Sequence, residues 1–178
     1  MADGGEKKAS SVGRSLELEV APEIAMEIMV EKLKLLDYEK DFCATKRPAW
    51  PPLTRTYFAF PPVSNNQNEQ FHYFTSLVAY LLKHAGRNFT APAQFDDPNA
   101  ACSNIFAELK ACQFATPSFA PGKLKTAHGR EVVGVLDALC DLVIEKNFAQ
   151  WARPRYLPDN YPEEPDVDDD MEGGGGGI

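Results

Sequence analysis

The chain lacks any long hydrophobic run. No stretch of its 178 residues approaches the roughly 20 apolar residues of a membrane-spanning helix, so membrane insertion is not expected. The first twenty residues are polar and lack the apolar core of a secretory signal, which points to a cytosolic protein. Histidine is scarce. His72, His84 and His128 are the three present, and none stands four residues from another metal ligand on one helical face, so no metal site is expected. The sequence also has no glycine-rich phosphate loop, no nucleophile elbow and no Cys/His pair in a supporting context. The five glycines at 173–177 have neither a strand before them nor a helix after them. An enzyme is not expected, and neither is a cofactor. No alternating pattern of useful strand length appears, and no internal repeat.

Cysteine is present in four copies, Cys43, Cys102, Cys112 and Cys140. Without a secretory signal they read as small apolar core residues in a reducing compartment, not as a disulfide framework. The Asn88-Phe89-Thr90 sequon is expected to stay unmodified for the same reason. Asp96-Asp97 is a carboxylate pair, but Asp97 before Pro98 reads more simply as a helix N-cap.

Positive charge is missing from the last twenty residues. Residues 159–178 carry eight Asp and Glu and no Lys or Arg. The formal net charge of −8 therefore lies in this tail, leaving 18 basic and 18 acidic residues in 1–158. A neutral body argues against a nucleic-acid binder. The tail and residues 1–19 are expected to be disordered, flanking one domain over 20–158.

Between these ends the periodicity is helical. A first helix is predicted over 22–37, with Pro22 in its first turn. Its apolar stripe is either Ile24, Ile28 and Leu35 or Met29, Leu33 and Leu36. A proline-rich loop follows, with Tyr57, Phe58 and Phe60 expected against the core. A second helix over 69–85 repeats Phe71, Phe74, Leu77, Val78, Leu81 and Leu82 at three- and four-residue spacing, the pattern of a largely buried central helix. Gly86 suits its C-terminal cap. A third helix over 98–112 sets Cys102, Ile105, Phe106, Leu109 and Cys112 on one face. After a short turn at 121–127, a last long helix over 129–147 carries Val132, Val135, Leu136, Leu139, Cys140 and Val143. Trp151 and Tyr156 are expected to pack back onto the domain. The fold class expected is all-α, a compact helical bundle with a buried central helix.

One surface feature points to a partner. Lys123, Lys125, His128 and Arg130 crowd the approach to the last helix. Lys83, Arg87, Arg153 and Arg155 add basic character elsewhere. Such a group is either an ordinary solvated face or a partner-binding patch.

The segments VEKLKLLDYEKDF (30–42), YFAFP (57–61), EQFHYFTSLVAYLL (69–82), GRNFTAPAQFDDPNAACSNIFAELK (86–110), KLKTAHGREVVGVLDAL (123–139) and WARPRYLP (151–158) occur in an order that resembles the N-terminal region of the intraflagellar transport protein 57 family, also called Hippi. The resemblance covers 23–158. The DDPNA block, then KLK, then a glycine before the VLDAL helix is specific in combination. The resemblance implies a divergent calponin-homology fold. It implies a non-catalytic protein–protein docking module in the peripheral part of intraflagellar transport complex B, at the cilium or flagellum and basal body, on the cytoplasmic side. The implied partners are a large WD40-containing transport subunit and, through a coiled coil absent from this chain, a second calponin-homology subunit. His128 stands where the family has an aromatic, and the loop at 43–56 is this chain's own. Other divergent calponin-homology domains bind tubulin or actin, so direct tubulin binding through Lys123, Lys125 and Arg130 is the alternative.

Overall fold

The structure is a computed structural model and describes residues 13–148. Trp151, Tyr156, Arg153, Arg155 and the acidic tail lie outside the described residues. The four predicted helices are α1 (Pro22–Leu35), α2 (Gln67–His84), α3 (Pro98–Ala111) and α4 (Arg130–Phe148). A π-helical turn, Glu39–Cys43, follows α1, and a 3-10 turn, Pro121–Thr126, precedes α4. Among the described residues there is no strand, only an isolated bridge between Arg14 and Phe114. The fold is all-α.

Three helix ends follow from local chemistry. Asp97 caps α3: its Oδ1 accepts from the Asn99 N–H at 3.0 Å, and Pro98 takes the first helical position, where a missing N–H costs nothing. Asn66 caps α2 by accepting from the Glu69 N–H at 3.3 Å. At the far end of α2, Gly86 turns left-handed at φ 81°. The Arg87 N–H then reaches the Leu82 carbonyl at 2.9 Å and the Gly86 N–H reaches Lys83 at 3.0 Å. This paired closure satisfies two carbonyls that the helix leaves open.

α2 is the axis of the bundle. Phe74, Leu77, Val78, Leu81 and Leu82 are all fully buried, and the buried set extends to Gln70, Tyr73, Thr75 and Ser76. α4 packs against both α1 and α2 and buries Val132, Val135, Leu136, Leu139, Cys140 and Val143 completely. α3 leans on the 3-10 turn and buries Cys102, Ile105 and Leu109, while Phe106 and Cys112 are half-buried.

α1 settles the choice between its two stripes. Met26, Met29 and Leu33 are fully buried, whereas Ile24, Ile28 and Leu35 are 51%, 47% and 63% exposed. The helix is apolar on two opposite sides, and only one of them meets the core.

The proline-rich loop is held by side chains of α2. Prolines lack the N–H that would organise such a segment, so its carbonyls take donors from elsewhere. Gln70 Nε2 donates to the carbonyls of Tyr57 (2.6 Å) and Phe60 (3.1 Å), and the Tyr73 hydroxyl donates to Pro51 (3.1 Å). The Leu53 N–H donates to the buried Tyr38 hydroxyl at 2.9 Å. Phe58 is fully buried and Tyr57 half-buried, as expected, but Phe60 is 52% exposed. Its backbone, not its ring, is what the core holds.

The expectation of disorder over 1–19 needs correction for residues 13–19. Leu16 is buried in the core cluster, the Ala115 N–H donates to the Arg14 carbonyl at 2.9 Å, and Arg14 pairs with Glu145 on α4. The segment is extended and has no helical periodicity, so one buried leucine among Ser and Glu gave no signal. Gly134 makes the crossing possible: a Cβ there would stand 2.3 Å from the Leu16 carbonyl oxygen.

Candidate partner-binding surfaces

The four predicted patch residues sit on the 3-10 turn and the start of α4. Leu124, fully buried, pins the turn to the core. Lys123 and Lys125 on either side of it are exposed. The Thr126 hydroxyl lies 2.9 Å from the Lys123 carbonyl and 3.0 Å from that of His128. Ala127 (φ 57°) and Gly129 (φ 99°) reverse the chain, and the Gly129 N–H anchors it to the Phe58 carbonyl at 2.8 Å. Gln67 Nε2 at the start of α2 reaches the carbonyls of Lys125 (3.4 Å) and Thr126 (3.3 Å).

Two of the four residues are engaged within the domain. His128 Nδ1 stands 2.7 Å from the Thr126 carbonyl, so that nitrogen carries the proton and donates. The Arg130 guanidinium donates to the Leu18 carbonyl, tying the N-terminal segment to α4. Lys123 and Lys125 have no ion-pair partner among the described residues. The structure thus leaves Lys123, Lys125 and Arg130 as three cations without an ion-pair partner among the described residues, with Arg130 oriented by its bond to Leu18. Lys83 and Arg87 do not extend this group. They lie at the opposite end of α2, a helix about 27 Å long, and Arg87 is paired with Glu108 at 2.8 Å.

A second feature escaped the sequence reading. Trp50, Leu53, Tyr57, His72 and Tyr73 line a cleft of about 630 Å³ beside the proline-rich loop. The Trp50 ring lies 4.9 Å from Tyr73 and edge-on to Phe42 at 5.7 Å, and the Lys46 ammonium stands over both Phe42 (4.7 Å) and Trp50 (4.8 Å). The only advance signal was aromatic content in a proline-rich stretch, which has no period to read. Burial, then the nearby Lys46 charge, pushes the His72 pKa down.

A third is the outer side of α1. Ile24, Ile28 and Leu35 face solvent there, and Glu23, Glu27 and Glu31 are exposed along one flank. The periodicity of these apolar residues was legible, but not their outward direction.

The thiols are structural. Cys43, Cys102 and Cys140 are buried and Cys112 half-buried, all unpaired, and burial pushes all four pKa values up. Among the described residues no group of three His, Cys, Asp or Glu is placed to hold a metal ion. No helix of the described residues is long and apolar enough to cross a membrane.

Residues 26–175 match the family model described as Intra-flagellar transport protein 57. Over 149 residues, 84% of this chain, the sequence is 41% identical to the Intraflagellar transport protein 57 homolog of Homo sapiens and 39% identical to that of Xenopus laevis. It is 38% identical over 131 residues, 73% of the chain, to the Intraflagellar transport protein che-13 of Caenorhabditis elegans. These matches cover 33%, 35% and 31% of the respective relatives, so the chain spans about a third of their length. With the family model matching most of the chain and identity near 40% across it, the chain belongs to the intraflagellar transport protein 57 family.

Proposed function

We propose that this chain is a non-catalytic docking module of a peripheral intraflagellar transport complex B subunit, acting in assembly of the cilium or flagellum on the cytoplasmic side. The observation that carries the reading is family membership across most of the chain. The packing supports it. Apart from His72 on the cleft wall, the titratable side chains with perturbed pKa values are ion-paired or packed into or against the core, while apolar side chains of α1 stand open on the surface. The all-α bundle around a buried α2 is consistent with a divergent calponin-homology fold. The partner proposed is the large WD40-containing transport subunit. A second calponin-homology subunit is the other partner proposed, through a coiled coil of the family.

Direct tubulin binding is the second reading, and exposed Lys123 and Lys125 are the observation that favours it. Two lysines and one arginine on a body of balanced charge make a weak basic field, so docking is preferred. Changing Lys123, Lys125 and Arg130 together to Glu separates the two. Docking on the WD40-containing subunit is expected to persist at physiological salt, with microtubule co-sedimentation weak from the outset. Strong co-sedimentation that fades with salt and vanishes in the triple variant, without binding to the subunit, would favour tubulin instead.

A further inference from the structure

We infer that the outer face of α1 is a docking surface for an amphipathic partner helix whose polar edge is basic. The inference rests on the docking reading and names the chemistry of what docks.

The face is set by helix geometry. At 3.6 residues per turn, Ile24, Ile28 and Leu35 fall within about 40° of one another around the axis. The buried Met26, Met29 and Leu33 occupy the opposite side. Three large aliphatic side chains, each about half exposed or more, thus form one stripe on a helix already anchored to α4 through its other face. Scattered single apolar residues on a surface need no explanation; a stripe in register on a well-packed helix does. Beside Ile28 a cavity of about 420 Å³ opens between α1, α4 and the N-terminal segment, lined among others by Leu18, Val20, Ala138 and Asp141. Stripe and cavity together give a ridge and an adjoining socket, the shape that takes the i, i+3/i+4 anchors of an amphipathic helix.

Charge selects the occupant. Residues 15–31 hold five glutamates, Glu17, Glu19, Glu23, Glu27 and Glu31, and no Lys or Arg. Glu23, Glu27 and Glu31 recur once per turn along one flank of the stripe. Glu27 pairs with Arg55 (2.9 Å) and Glu31 with Lys34 (2.8 Å), but Glu19 and Glu23 have no ion-pair partner among the described residues. Asp141 at the socket already shares Lys32 with Asp137. A partner with acidic edges would meet like charge at Glu19 and Glu23, at the N-terminal end of the stripe, whereas Lys or Arg on that edge would meet carboxylates that lack an ion pair among the described residues. The same argument disfavours a second copy of this chain, which would bring the same glutamates.

The test uses the transport complex purified without this subunit and the full chain added back. Ile24 and Ile28 are exposed, so Ile24→Ser with Ile28→Ser should leave the fold intact, checked by an unchanged thermal melt. Relative to wild type, this variant is expected to bind the complex at least about tenfold more weakly, and Glu23→Lys with Glu27→Lys should also weaken binding. Replacing Ile28 with the photo-crosslinking p-benzoylphenylalanine should then capture one segment of the complex with helical apolar spacing and a Lys- or Arg-rich edge. Wild-type binding undiminished in both double variants would overturn the inference while leaving docking intact, and so would a crosslink to an acidic segment, to another copy of this chain or to nothing. Failure of the wild-type chain to bind the complex at all would instead remove the docking reading itself.

Discussion

Gly134 lies in the middle of α4, where alanine ordinarily stabilises a helix by about 1 kcal/mol. Here the opposite is expected. The Leu16 carbonyl would lie 2.3 Å from the new Cβ, and the blocking atom is backbone, so the N-terminal segment must lift off α4. Gly134→Ala should lower the denaturant midpoint and raise the proteolytic susceptibility of residues 13–19; a raised midpoint would show that the crossing is not as close as described. The buried phenols make a second prediction. Burial pushes the pKa of Tyr38 and of Tyr80 up to about 12. A folded-state value above the ordinary one near 10 means that these groups favour folding below about pH 10 and that this contribution is lost as pH rises toward 12. Lys32 acts in the same sense: burial pulls its pKa down, but its bonds to Asp137 and Asp141 outweigh burial and leave it raised. On alkaline titration, part of the tyrosinate absorbance should lag and appear together with loss of helical circular dichroism. All six tyrosines ionising near pH 10 with the helices intact would contradict this. The caps at Asp97 and Gly86 were legible from sequence because each position needs one particular chemistry. The engagement of His128 and Arg130 was not, since it depends on which distant carbonyls the fold brings alongside.

At the scale of the element, α2 and α4 were readable because almost every apolar residue in them points inward, so register and burial coincide. α1 was readable as a helix but not as to which side meets the core, because it is apolar on both. The π-helical turn at Glu39–Cys43 and the extended segment at 13–19 carry no repeating pattern, and only tertiary contact reveals them. The distinction within α1 can be measured. Leu77→Ala in α2, at a fully buried site, should cost about 2–5 kcal/mol. Ile28→Ala, at a side chain 47% exposed, should change stability by no more than about 0.5–1 kcal/mol. A large loss at Ile28 in denaturant unfolding of the isolated chain would mean that its face is already covered.

For the molecule as a whole, composition was informative about charge and silent about surface. The eight acidic residues of the last twenty account for the net charge, leaving a balanced body, and that balance ranks docking above binding to a uniformly charged polymer such as the microtubule. What the order of motifs supplied was the family, which the comparisons bear out; the exposed apolar face of α1 is what the folded chain adds. Docking of this chain on the transport complex is decided by size-exclusion co-elution. The full chain should be mixed with the complex purified without it, at about 0.15 M ionic strength, where interactions between exposed charges are screened beyond about 8 Å. A stoichiometric shift of the chain into the complex peak is expected, because contact through apolar side chains survives screening. A chain that elutes alone at that ionic strength, with the complex intact, would contradict it.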